Sequence, residues 1–416
     1  MASIRKRGSS YEISVSCGID GNGKKIRKYK FWTPADDMTV KQAEKELQRV
    51  AFEFERAVLS GTLMDENITL TEFTKRWLEE YASKQLEITT YDSYKGELET
   101  KILPALGHMR IGRIQPVHIL AFLNNLLEDG ARVDGRSGAY SNRTVKYQHA
   151  ILSTIMQTGV YWQIITSNPC ERVKVPKDRR KIEDQKLKFF TETQAAQFLI
   201  AIQSCELKYQ AIANIAIYGG LRRGEILGLT WKDIDLDSGA VSINKSVAYL
   251  PEKGIITKST KTKGSVRIVT LPENVMELLR QYKREQSEDR LKLGNLWQDA
   301  GLVFTQWDGK PMHPCTPYSW FHDFLVGYNR KIENDATIPA DQKAQHTLPV
   351  ITFHGLRHTS ATLLIAGHTD VRTVSARLGH SQTSTTLNIY SHALKSADKK
   401  AAETLQSMLQ GARGKR

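Results

Sequence analysis

Apolar and polar side chains alternate from Ser10 to Ser16, the period-two signature of a half-buried strand. Asp20-Gly21-Asn22-Gly23 supplies turn chemistry, because Gly and Asn accept the positive φ of a tight hairpin. Lys24 to Trp32 then alternates basic with apolar positions, as a second strand does. Thr39 is placed to cap a helix over 40–59, with Val40, Ala43, Leu47, Val50 and Phe54 along one stripe. From Leu70 to Val173 the period is helical. An amphipathic helix begins near Thr71, Thr89 or Thr90 caps the next, and Leu103-Pro104-Ala105-Leu106-Gly107 reads as a break. Pro116 suits the first turn of a helix reaching about Leu127. A glycine-rich loop at 130–138 follows, then a long helix from Asn142 to about Trp162, and Asn168-Pro169 stops it.

After residue 188 the pattern mixes helices with strands, including Ala240 to Ile243 and at least one more within Ile255 to Leu271, expected as a hairpin carrying Lys258, Lys261, Lys263 and Arg267. The chain is therefore expected to be multidomain and mainly α with small β-sheets. A sheet with one helix occupies 1–60, a helical domain 67–173, an exposed linker 174–188, and a mixed α/β domain 189–416 with a tail at 391–416. That tail carries a loose apolar stripe of Ala393, Leu394, Ala397, Ala401, Leu405 and Leu409, which has to be buried against something.

Charge changes the picture. Lys and Arg outnumber Asp and Glu by 59 to 45 over 416 residues, a formal surplus of +14 that favours a polyanionic partner. The surplus is concentrated at the start. Arg5, Lys6, Arg7, Lys24, Lys25, Arg27, Lys28 and Lys30 face only Glu12 and Asp20 through residue 30. A short basic ribbon can enter a DNA groove, although lysines also protect an edge strand from pairing. Cys17, Cys170, Cys205 and Cys315 are far apart and form no CxxC pair, which excludes a zinc ribbon or a disulfide framework of close spacing. The polar start and the lack of a long apolar run predict a soluble, cytoplasmic protein without a membrane partner.

The chemistry lies in four blocks of the last region. The first, Gly219-Gly220-Leu221-Arg222-Arg223-Gly224-Glu225, sets an acid three residues after an arginine. Lysines of the expected hairpin follow. His354-Gly355-Leu356-Arg357-His358 puts His354 and Arg357 on one helical turn. His354 and His358 are also four apart, as a metal pair would be, but Gly355 stands where a zinc-peptidase helix needs glutamate, so no metal is expected. Leu378-Gly379-His380-Ser381 precedes Tyr390 by ten residues, counted from His380.

Taken in order, Arg222, Lys261, His354, Arg357, His380 and Tyr390 resemble the active site of the tyrosine recombinases, the lambda-integrase family. The helical segment over 70–173 resembles that family's core-binding domain, and the basic segment before it resembles the arm-binding domains of integrases from conjugative transposons and temperate phages. The resemblance implies a site-specific recombinase that cleaves DNA through a 3′-phosphotyrosine on Tyr390 and reseals it without ATP, metal or cofactor, to integrate and excise a mobile element. Lys263 competes with Lys261 for the lysine position.

A phenol with a pKa of ~10 is a weak nucleophile until its proton leaves or charge builds on phosphorus. Guanidiniums at Arg222 and Arg357 are always charged and bind phosphate oxygens bidentately. The resemblance gives His354 a part in proton transfer or phosphate binding, His380 a hydrogen bond to a phosphate oxygen, Lys261 the departing 5′-oxygen, and Glu225 a supporting part in orienting the Arg222 helix or its neighbouring histidine. It further implies double-stranded DNA with core and arm sites, a homotetramer on DNA through exchange of the tail, and an accessory excision or bending factor. Two rivals stay open at this stage. A type IB topoisomerase shares the chemistry, and a DNA-binding protein on the same scaffold lacks it.

Overall fold

The computed structural model describes residues 2–19, 25–35, 38–59, 68–176, 188–259 and 266–380, with 383, 384, 386, 387 and 406. Lys24, Lys261, Lys263, Tyr390, the 20–23 turn, residues 177–187 of the 174–188 linker and all but one residue of the 391–416 tail lie outside the described residues, as does the Lys25 side chain. The chain divides into two compact units, Met1–Glu183 and Asp184–Arg416.

The first unit opens with an antiparallel meander of β1 (Ser3–Arg7), β2 (Ser10–Ile19) and β3 (Lys25–Trp32). Ile13 and Val15 of β2 point inward onto Leu47, Val50, Ala51 and Phe54 of helix α1 (Val40–Leu59), forming a small core of their own. The expected stripe on α1 holds from Leu47 onward, but Val40 is 80% exposed, because the buried face begins only at the third turn. At the helix start, Gln42 accepts from both the N–H and the hydroxyl of Thr39.

A second core belongs to the helices that follow. Helix α2 (Leu70–Trp77) starts one residue before the expected Thr71, because Thr69 and Glu72 close a reciprocal capping box. Helix α3 (Ile88–Glu97) is preceded by Glu87 at its cap, so Thr89 and Thr90 lie inside it rather than before it. The break expected over 103–107 comes at its end, where the helix stops at Leu106 and Gly107 caps it. Helical turns run on from Leu103 to Leu106 after a π-type turn over Leu98–Ile102, a register change that suits a proline lacking its N–H. Helix α4 (Pro116–Asn125) places Pro116 in its first turn. Ser141, not Asn142, caps α5 (Asn142–Tyr161). The Trp77 indole N–H donates to Thr158 Oγ1 at 3.0 Å, tying α2 to α5 through a buried polar link.

In the second unit, a capping box of Thr191 and Gln194 opens α6 (Glu192–Ala201). Helix α7 (Leu207–Gly219) is apolar on most sides and lies against both α9 (Glu273–Leu293) and α11 (Phe353–Ala366), with α8 (Arg223–Leu227) and α10 (Cys315–Asn334) in the same body. Helix α12 (Val371–Leu378) packs on α11. Strand β4 (Ala240–Ile243) pairs with β7 (Arg267–Thr270), and β5 (Lys245–Leu250) pairs with β6 (Gly254–Ser259). The stretch from Ile255 to Leu271 is therefore not one hairpin. Only Asn244 separates β4 from β5, so each of the two later strands finds its own partner, and Lys258 and Arg267 sit in different sheets.

Candidate active site

The turn between α7 and α8 does two jobs. Gly220 closes α7 in the left-handed region at φ +63°, where a side chain would also strike Leu378. Two residues later Arg222 occupies the cap position of α8 rather than its helical face, so it meets Glu225 through a capping box. Glu225 Oε2 accepts the Arg222 backbone N–H at 2.9 Å, and Oε1 accepts from Arg222 Nη1 at 2.9 Å.

Glu225 is not the solvated partner that most Arg-x-x-Glu pairs make. Its side chain is 4% exposed and also holds Arg267, whose Nη2 lies 2.8 Å from Oε2 and Nη1 3.2 Å from Oε1. Burial raises the pKa of this carboxyl, but the hydrogen bonds and charge of Arg267, with the Arg222 N–H and guanidinium, outweigh it and hold the group below the usual carboxylate value. A buried carboxylate stripped of one such partner costs about 3–5 kcal/mol.

Arg357, on α11, is 2% exposed and donates through Nη1 to the Gly220 carbonyl at 2.7 Å, so the same turn anchors both site arginines. Arg222 Nη2 donates to the Gly379 carbonyl at 3.1 Å, which brings the first arginine against the residue preceding His380. His380 donates its N–H to Ser375 O, and its Nδ1 shares a 2.8 Å hydrogen bond with the hydroxyl of buried Thr386. His354 is exposed one turn before Arg357, and its ring meets His358 edge-on at 4.8 Å between centroids.

Four predicted site residues, Arg222, His354, Arg357 and His380, thus converge from three segments. Their electrostatics agree with that convergence. Partial loss of hydration where its ring lies against the protein, then the charges of Arg357 and Arg222, lowers the pKa of His354 although the residue reaches solvent. The same causes in the same order bring His380 to about 4. Burial, then His354 and Arg357, brings His358 to about 4. Two permanent cations beside two imidazoles that are neutral at pH 7 suit an oxyanion with several oxygens to bond. Among the described residues, no group of His, Cys, Asp or Glu is arranged to hold a metal, and no helix is long and apolar enough to cross a membrane.

The sequence reading gave no role to Arg267, Arg377 or Thr386. A signal for Arg267 was present. In β7 it shares the inward phase with buried Val269, and an arginine on the inner side of a strand needs a carboxylate.

The basic residues of the first unit do not form one patch. Pairing of Arg5 with Glu12 and of Ser16 with Arg27 puts Arg5, Arg7 and Arg27 on the outer face of the meander, beside exposed Tyr29 and Phe31. Lys6, Lys28 and Lys30 lie in the opposite phase, with Ile13 and Val15 on the side of α1.

A family model described as the phage integrase family matches residues 188–397, and one described as the phage integrase N-terminal SAM-like domain matches 69–127. The chain is similar to a tyrosine recombinase XerC-like protein of Caldanaerobacter subterraneus subsp. tengcongensis, 29% identical over 413 residues that cover 96% of each chain. It is also similar to the ICEBs1 integrase of Bacillus subtilis, 29% identical over 299 residues and 72% of each chain. Its fold resembles that of the Tn1549 transposon integrase, solved in complex with transposon right end DNA, at a TM-score of 0.62 and 20% identity, covering 81% of this chain and 99% of that one. The chain belongs to the phage integrase family and is a tyrosine recombinase of the integrase type, an enzyme that cleaves and joins DNA.

Proposed function

We propose that the converging residues hold one phosphodiester of a duplex at the end of a mobile element, and that Tyr390 attacks it to leave a 3′-phosphotyrosine. One observation carries this reading: Arg222 and Arg357 share the Gly220–Arg222 turn, while Arg222 also bonds the carbonyl next to His380. As in-line attack proceeds, negative charge spreads over the non-bridging oxygens. Arg222 and Arg357 meet that charge with donors fixed in advance, each supplying a factor of ~10²–10³ in rate. His380, held through Nδ1 by Thr386, presents Nε2 to a phosphate oxygen. His354 serves the tyrosine proton or the phosphate, and Lys261 protonates the departing 5′-oxygen.

The same reading assigns residues 1–60 to arm DNA, residues 67–173 to core DNA, 174–188 to a linker and 189–416 to strand transfer. Recombination then runs in a homotetramer joined by tail exchange over 391–416, with an accessory factor for excision. The basic, aromatic outer face of the N-terminal sheet supports the arm assignment.

A nicked suicide duplex carrying the element's end tests the centre of the proposal. Wild type should give a slow-migrating, protease-sensitive protein–DNA band on a denaturing gel, and Tyr390→Phe should bind the duplex equally and give none. An adduct that survives Tyr390→Phe refutes the nucleophile.

A further inference from the structure

We infer that Arg267 is a positioning residue for the phosphate site, the strut that fixes Arg222 and the His380 loop relative to each other. The inference rests on the strand-cleavage reading above.

Arg267 lies on β7, its side chain 7% exposed, and every arm of its guanidinium is engaged. Two arms grip the Glu225 carboxylate that in turn holds Arg222, while Nε donates to the Arg377 carbonyl at 2.8 Å. Arg377 Nη2 donates to Tyr218 O at 2.7 Å and Thr270 O at 2.9 Å, pinning the end of α12 to α7 and to the end of β7. The Arg222 bond to Gly379 O closes a ring that runs through Glu225, Arg267 and the 377–379 backbone. Gly379 takes φ +66°, and a side chain there would come within 2.8 Å of Arg267 Nη1. The backbone entering His380 therefore lies directly on the Arg267 guanidinium.

The physical consequence is specific. Among the described residues, the carboxylate that pairs with Arg222 is that of Glu225, and it is itself held by Arg267. A flexible Arg222 would spend transition-state stabilisation on ordering itself, and displacement by ~1 Å costs on the order of 10²-fold in rate. Arg267 acts through Arg222 and His380 and touches no reacting atom.

Adduct formation on the nicked duplex is measured for the full chain as wild type, Arg267→Lys, Arg222→Lys and the double variant, with duplex affinity and thermal melting alongside. Lysine keeps the positive charge facing Glu225 but cannot grip the carboxylate and the Arg377 carbonyl together. Arg267→Lys should slow adduct formation ~10- to 100-fold at unchanged affinity, and should add less than ~3-fold once Arg222 is already lysine. Losses that multiply in the double variant overturn the role, because they show that Arg267 does not work through Arg222. A wild-type rate for Arg267→Lys overturns it as well. A wild type that binds the duplex but forms no adduct removes the cleavage reading itself, and the positioning role with it. Should Arg267→Lys melt too early to compare, the Arg267→Met/Glu225→Met pair removes both buried charges together. A similar slowing in that pair supports the role, and a restored rate overturns it.

Discussion

A guanidinium enclosed as fully as that of Arg357 is rare in a protein interior and requires oriented acceptors. Here the Gly220 carbonyl is one of them, so the charge is fixed before any ligand arrives. The cost of that preorganisation appears in the neighbouring histidines. His358 and His380, brought to about 4 by burial and then by nearby positive groups, stay neutral where an unfolded chain with pKa 6.5 takes up a proton. The unfolded state therefore binds more protons between pH 6.5 and about 4. The stability from this source is complete above 6.5 and is lost as the pH falls toward 4. Melting temperature should fall over that window, and His358→Asn, which removes one such group while leaving every member of the proposed catalytic set in place, should melt with a shallower dependence between pH 6.5 and 5. Parallel curves for the two proteins across this interval would show that His358 is not depressed in the native state.

At the level of elements, strand phase decides which basic residues of the N-terminal meander can work together. Arg5 and Arg27 share the outer face with Tyr29 and Phe31, whereas Lys28 and Lys30 sit on the helix side. Arg5→Ala with Arg27→Ala should weaken binding of the full chain to arm DNA by ~1–3 kcal/mol per contact, and Lys28→Ala with Lys30→Ala should change it little. The opposite order in a titration of the two double variants would move the contact surface to the other face. The cluster of eight basic residues was legible in the sequence, but the division of the six whose side chains are described between two faces needed the register. Similar reasons separate the other successes and misses. The α1 range was legible because its period is strong and Thr39 and Gln42 mark its start. The starts of α2, α3 and α5 shifted by one to three residues because several polar side chains compete near each end. The break over 103–107 falls at Gly107 and not at Pro104, because a π-type turn accommodates the proline. The pairing of β7 with β4 was invisible to periodicity, which reports which side of a strand is buried and not the partner. Arg267 went without a role for that reason: its carboxylate is 42 residues away.

For the molecule as a whole, the surplus of +14 and a hydrophobic core of its own under the N-terminal sheet allow one function to be removed without the other. Ile13, Val15, Leu47, Val50 and Phe54 make a core that shares no residue with the helical core beginning at Leu70. Deleting residues 1–60 therefore strips no buried side chain from the helical core or from the body that carries Arg222, Arg357 and His380. The shortened chain should still form the adduct on a nicked core duplex. It should lose its preference for arm DNA, and the log–log dependence of its affinity on salt should flatten by about 0.9 for each phosphate contact removed. An unchanged salt slope on arm duplexes would mean that the N-terminal sheet does not meet the backbone. Loss of core cleavage together with arm binding would mean that the sheet acts in strand transfer itself, with the arm and core functions inseparable in this chain.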